Sequence, residues 1–171
     1  MEQPQASEAW MRGPVSGVPP LLQPVAHALL QTQEEVQRYT AGFPDRLLWE
    51  QPAGVASVGF HLQHITGVID RLFTYARGQS LSEAQFDYLH REGQPSPDLT
   101  VAELVAALER RVTEAVAALR RVDERRLTDV RYLGRKRIPT TLAGLLFHAA
   151  EHAQRHVGQL LVTIRFLQHG V

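Results

Sequence analysis

Apolar residues recur at steps of three and four along four separate segments of the chain, and this spacing limits the possible folds more than any other feature. The clearest segment lies between residues 101 and 122, where most of the charged side chains fall on the opposite face. Steps of three and four place side chains on one face of an α-helix. Thr100 and Glu103 have the spacing of a capping box at the start of this helix. The apolar stripe consists of Val101, Leu104, Val105, Leu108, Val112, Val116, Leu119 and Val122.

Three further segments have the same character, at residues 20–40, 57–76 and 141–168. Breaks rich in proline and glycine separate them. We expect one short helical turn in the connection 81–98 and a polar connection over residues 129–139. No segment shows a convincing strand pattern. Four amphipathic helices of about 20 residues each predict an all-α fold, a four-helix bundle.

The composition limits the function as well as the fold. Residues 1–18, rich in Pro, Gly, Ser and Gln, are predicted to form a flexible arm, and residues 19–171 the single bundle domain. No cysteine is present, which excludes disulfides, cysteine-ligated zinc and a cysteine nucleophile. Basic and acidic residues number 18 each, so we expect no nucleic-acid partner and no membrane partner. The sequence shows no signal peptide and no apolar run of about 20 residues, so a cytoplasmic protein is expected.

The segment FHAAEHAQRHVGQL, residues 147–160, carries three histidines at intervals of four. At about 100° per residue, His156 lies inside the apolar stripe of the last helix and His152 lies on its edge. His148 is displaced toward the rim, and His169 faces away. A single histidine in a protein core usually has one hydrogen-bonding neighbour. Two imidazoles four residues apart on the apolar face lie side by side, and the buried nitrogens of both rings need partners. A divalent metal satisfies both rings at once, so the sequence predicts that His152 and His156 bind one.

A third ligand must come from another helix, because two ligands leave the coordination shell incomplete. The second helix contains SVGFHLQHITGVIDR, in which His61 and His64 lie three residues apart. Helical projection places His61 nearer the centre of the apolar face, so periodicity alone weakly favours His61. A bend or a shifted start would change that projection, and His64 stays open as the alternative.

The pair of segments SVGFHLQHI and HAAEHAQRHVGQL resembles the DinB/YfiT-like superfamily of proposed metalloenzymes, over nearly the whole chain beyond the arm. The family pattern S-V-x-x-x-L-x-H-I falls on Ser57, Val58, Leu62, His64 and Ile65. The pattern H-x-x-x-H-x-G-Q falls on His152, His156, Gly158 and Gln159. The resemblance implies a DinB-like four-helix bundle, a homodimer, and a divalent metal, nickel or zinc, held by His64, His152 and His156. His61 is then a core residue or a neighbour of a ligand.

Three neutral imidazoles with one open coordination position make a site of the catalytic type. By resemblance, the expected function is that of a metal-dependent enzyme, either a transferase using low-molecular-weight thiols such as bacillithiol or mycothiol, or a hydrolase. The alternative is a non-catalytic metal-binding protein of stress response or interaction, built on the same bundle. Non-covalent haem between two histidines also stays open. A di-iron bundle is excluded because no Glu-x-x-His pair occurs, and a zincin protease because H-E-x-x-H is absent.

Residues near the histidines suggest supporting roles. Gln159 is either a ligand-binding residue or a polar packing residue, and Gly158 is expected to let another helix approach closely. Glu151 and Arg155 have the spacing of an exposed ion pair. A basic cluster before the last helix is either solvated loop or the mouth of a pocket for an anionic substrate. This cluster consists of Tyr132, Arg135, Lys136 and Arg137.

Overall fold

The computed structural model of the chain describes residues 7–169, and within them five α-helices and one two-stranded sheet. None of these helices is long and apolar enough to cross a membrane. The elements are α1 (Gln23–Thr40), α2 (Val58–Ala76), α3 (Glu83–Arg91), α4 (Val101–Leu119), β1 (Val130–Leu133), β2 (Ile138–Thr141) and α5 (Leu142–His169).

Four of the helices form a bundle around one apolar core. Helix α1 packs against α4 and α5, and α2 packs against the same two helices. Helices α1 and α2 therefore stand at opposite corners of the bundle, as do α4 and α5. The predicted all-α four-helix bundle is confirmed. Its most deeply buried side chains are Leu29, Leu62, Ile65, Ile69, Leu108, Leu119, Leu146, Leu160 and Ile164.

The helix starts follow the capping signals of the sequence. Thr100 and Glu103 form the predicted capping box, in which the Thr100 hydroxyl oxygen accepts from the backbone N–H of Glu103 at 3.2 Å. Ser57 caps α2 in the same way, accepting a hydrogen bond from the first turn. Helix α1 begins at Gln23, later than predicted, because residues 20–22 form a 3-10 turn.

The connection between α2 and α4 contains a nine-residue helix, α3, and not the single turn expected. Ser82 and Gln85 form a capping box at its start. The hydroxyl of Tyr88 donates to the carbonyl oxygen of Gln63 in α2 at 3.2 Å. Just beyond α3, the backbone N–H of Gly93 donates to the side-chain oxygen of Gln63 at 2.7 Å. These contacts hold α3 and the residues that follow it against α2.

The expectation of a strand-free chain is wrong, because β1 and β2 pair as an antiparallel hairpin immediately before α5. Its turn is closed by the N–H of Arg137 donating to the carbonyl oxygen of Gly134 at 3.0 Å. Both residues have positive φ angles, 66° for Gly134 and 50° for Arg137. Such short strands contain too few residues for the alternation of apolar and polar side chains to be distinguished from a polar loop. The hairpin fixes the position from which α5 starts.

Residues 7–18 lie along α1 in the described structure. The backbone N–H of Ala9 donates to the side-chain oxygen of Gln31 at 2.9 Å. Arg12 pairs with Glu34 at 2.6 Å. Residues 1–6 of the predicted flexible arm lie outside the described residues, so the arm boundary at residue 18 stays a prediction.

Two glycines on bundle helices provide a matched test of packing. A Cβ atom at Gly158 in α5 would meet nothing within 4 Å, so the expectation that Gly158 admits another helix is wrong within the described chain. A Cβ atom at Gly59 in α2 would instead lie within 3 Å of three atoms of the Trp49 ring. We expect Gly158→Ala to raise the free energy of unfolding by about 0.5–1 kcal/mol, because alanine loses less backbone entropy in a helix.

Gly59→Ala should lower the free energy of unfolding by about 1–3 kcal/mol through overpacking. Urea denaturation followed by circular dichroism measures both values. Equal effects of the two variants would contradict the packing described here.

Candidate metal centre

Helices α2 and α5 pack side by side and bring histidines from both into one cluster. His64 projects from α2, and His152 and His156 project from successive turns of α5. One nitrogen from each ring lies within 4.8 Å of one nitrogen from each of the others. The Nε2 atoms of His64 and His152 are 2.9 Å apart. The structure therefore brings together the same three residues that the family pattern indicated.

The three rings have the properties of a ligand set. Burial, followed by the neighbouring His64, lowers the pKa of His152. Burial, followed by His64 and then His152, lowers the pKa of His156 to about 3. Neutral rings carry one lone pair each, and a proton shared between the Nε2 atoms of His64 and His152 satisfies those two nitrogens but not the third ring. A divalent cation accepts all three lone pairs, so the donor set fits such an ion.

A buried acidic residue orients the His64 ring. The Nδ1 atom of His64 lies 2.7 Å from Oε2 of Glu92, whose side chain is only 4% exposed. The other carboxylate oxygen of Glu92 accepts a hydrogen bond from the guanidinium of Arg71. A carboxylate beside Nδ1 places the proton there and leaves the Nε2 lone pair facing the cluster.

Neither Glu92 nor Arg71 was identified from the sequence. Glu92 belongs to the segment that follows α3, and it reaches α2 only because α3 folds back on that helix. No local spacing relates it to His64, since 28 residues separate them along the chain. A carboxylate that reaches a ligand by such a long connection leaves no local signal to detect.

His61 lies deeper than His64, as helical projection predicted, with 3% of its surface exposed. Its Nδ1 atom is 3.1 Å from Nδ1 of His156, which leaves the Nε2 of His156 for the cluster. Burial, followed by His64, lowers the pKa of His61 to about 4. His61 therefore contacts one member of the cluster from the core side, while His64 completes the group of three.

His148 lies at the exposed rim of the cluster. Its side chain is 44% exposed, and its ring centroid is 5.2 Å from that of His152. Nδ1 of His148 contacts Glu151, which also pairs with Arg155 at 2.8 Å, so the predicted ion pair on this helix is confirmed. His148, Glu151 and His152 form a second group with ligand atoms within 4.8 Å of one another.

The remaining residues of interest lie apart from the three rings. Gln159 is exposed on α5. In the basic cluster, the Arg137 guanidinium stacks over Tyr132 at 4.3 Å and that of Arg135 over Phe86 at 5.0 Å. The predicted outward position of His169 concerns a side chain outside the described part of the chain.

Comparisons with known proteins agree with this architecture. A family model described as the DinB superfamily matches residues 28–160. The chain is similar to a solved structure described as the conserved protein of locus from Enterococcus faecalis, with a TM-score of 0.66. The two chains are 20% identical, and the match covers 84% of this chain and 95% of that one. This likeness concerns the fold alone. A comparison with curated proteins finds no match.

The role assigned to Glu92 leads to a prediction about metal affinity. Glu92→Gln removes the charge that orients His64, so we expect zinc affinity to fall by roughly tenfold or more. Competition with a chromophoric chelator measures the Kd, and circular dichroism verifies that the variant is folded. Glu114→Gln is the control, because Glu114 pairs with Arg111 on α4 and belongs to neither group of possible ligands. Equal losses in the two variants would show that Glu92 has no special role.

Proposed function

The chain belongs to the DinB superfamily, and on that premise we propose that it is a divalent-metal-dependent enzyme that transfers low-molecular-weight thiols. The observation that carries the proposal is the convergence of three imidazoles from two helices within 4.8 Å, without a carboxylate among them. A hydrolase would use the same site with water in place of the thiol. Residues from one continuous helix alone would not enclose a site in this way.

His64, His152 and His156 would hold the ion, and zinc or nickel suits imidazole ligands. An ion held by three neutral ligands keeps its full charge and lowers the pKa of a thiol or water that reaches it. Phe60 stacks on the His64 ring with centroids 5.1 Å apart, which shields one side of the cluster from water. The His64 side chain remains 18% exposed, so a small molecule has an approach.

Proton transfer is assigned to His148. Its ring centroid lies 5.2 Å from that of His152, and unlike the deeply buried His61 its half-exposed ring lies at the rim. Burial opposes ionisation of Glu151, but hydrogen bonds from Arg155 and His148 outweigh it and hold the pKa of Glu151 below its ordinary value. The ionised Glu151 fixes Nδ1 of His148, so Nε2 is the atom that takes the thiol proton. The sulfur then bonds to an electrophilic carbon of the second substrate as the leaving group departs.

The homodimer implied by the family is likewise proposed for this chain. Support comes from large apolar side chains that α5 leaves exposed on the described surface: Phe147, Val162 and Phe166. Val162 and Phe166 are four residues apart, which places both on one face of the helix. Light scattering coupled to size-exclusion chromatography measures the mass in solution, and a monomer at micromolar concentration would contradict the proposal.

Metal content tests the ligand assignment. We expect His64→Ala, His152→Ala and His156→Ala each to lose stoichiometric zinc, because two remaining imidazoles hold the ion weakly. His148→Ala should keep most of the metal, since its ring lies at the rim. Elemental analysis of purified proteins, with calorimetric titration of the metal-free forms, measures both. Equal loss in all four variants would show that the wrong three histidines were chosen.

Cobalt-loaded protein tests catalysis against the non-catalytic alternative. We expect the ligand-field bands of bound cobalt to change when small thiols are added, because an open position admits them. A panel of cellular thiols with electrophilic acceptors then measures turnover, which His148→Ala should reduce while metal content is retained. Bands indifferent to every thiol and anion would favour a purely structural or interaction role.

A further inference from the structure

A separate open cavity adjoins the histidine cluster, and residues of α2, α3, the hairpin and α5 line it. Its volume of 490 Å³ lies within the usual range for small-molecule sites. We propose that this cavity binds the second substrate of the reaction, and that this substrate is an organic anion with an apolar body. The assignment rests on the proposed function both in calling the ligand a substrate and in choosing this cavity for its contact with His148.

The cavity walls are mainly apolar and come from three elements. Side chains of α2 line one side, side chains of α3 and Leu81, two residues before it, line another, and the hairpin lines the third. An apolar surface of this kind binds aliphatic or aromatic groups by removing them from water. The apolar lining consists of Val68, Leu72, Tyr75, Leu81, Phe86, Leu89 and Leu133.

Arg135 supplies the charge that selects an anion. It projects from the hairpin turn over the Phe86 ring at 5.0 Å, and no acidic side chain of the described residues forms a salt bridge with it. Arg71 also lines the cavity, but its charge is matched by the buried Glu92. Arg135 therefore carries the uncompensated positive charge of the cavity, which a carboxylate or phosphate would pair with.

Two residues connect this cavity to the histidine cluster. His148 lines the cavity and is 5.2 Å from His152 between ring centroids. Arg71 lines it as well and contacts Glu92, which in turn contacts His64. A ligand in the cavity would thus lie against the residue assigned to proton transfer.

A larger cavity of 760 Å³ between α2, α4 and the start of α5 is a weaker candidate for this substrate. No histidine lines it, so a ligand there would contact none of the groups assigned to the reaction. Size alone favours the larger cavity, whereas contact with His148 favours the smaller one. Proximity to the reacting groups decides for the smaller cavity.

Titration with 4-phenylbutyrate tests the proposal, since its ring and carboxylate match the two parts of the cavity. The uncharged 4-phenylbutyramide is the matched ligand. We expect saturable binding of the acid to zinc-loaded protein by calorimetry, with the amide about tenfold weaker. Arg135→Gln should weaken the acid about tenfold and leave the amide unchanged. Arg137→Gln is the control variant, because Arg137 belongs to the same turn but stacks on Tyr132 outside the cavity.

Cobalt provides a readout of position. Protons of the bound acid should relax faster in cobalt-loaded protein than in zinc-loaded protein, because unpaired electrons act over the short distance from the cluster to the cavity. Binding without this relaxation, equal affinities of acid and amide, or no response to Arg135→Gln would each overturn the proposal. Titration of the metal-free protein with 4-phenylbutyrate tests the cavity separately from the metal centre. If the protein binds no metal, the proposed function fails, but binding of the acid in the cavity can still be measured.

Discussion

The side-by-side packing of α2 and α5 is the constraint on which the rest of the structure depends. It buries imidazoles from both helices where each ring nitrogen must find a partner. Burial, followed by His64, lowers the pKa of both His152 and His156, which favours the neutral ring that a metal ligand requires. Because these rings are only partly solvated, a divalent cation that bound all three would supply partners for their nitrogens. The same packing that stabilises the fold therefore creates the site.

The sequence predicted those parts of the protein that follow from short-range spacing. The capping box at Thr100 and the positions of His152 and His156 on one helix face all depend on residues within one or two turns. Short-range spacing could not decide between His61 and His64, because both lie near the apolar face of α2. The helical projection favoured His61, but the deeply buried His61 ring contacts His156 from the core side and does not complete the group of three. Only the family pattern indicated His64.

Features that depend on distant contacts were beyond the reach of the sequence alone. Glu92 becomes a partner of His64 only after α3 has folded back on α2, and the hairpin before α5 is too short to show a strand period. The capping box at Ser82 was a local signal for α3 that was overlooked. Gly158 shows the opposite error, since a glycine in a long helix suggested close packing where the structure has open surface. Tertiary context decided each of these cases.

The histidine cluster and its buried carboxylate come from α2, α5 and the segment after α3, whereas α1 and α4 contribute no residue to the three-histidine group. Those two helices can therefore accept substitutions that keep core volume and polar contacts such as Arg111–Asp70, with no direct effect on the three rings. A more heat-resistant scaffold could be built through α1 and α4 without altering the histidine cluster. The α1–α4 side of the bundle can thus carry stability, while the opposite side, α2 and α5, carries the histidine cluster.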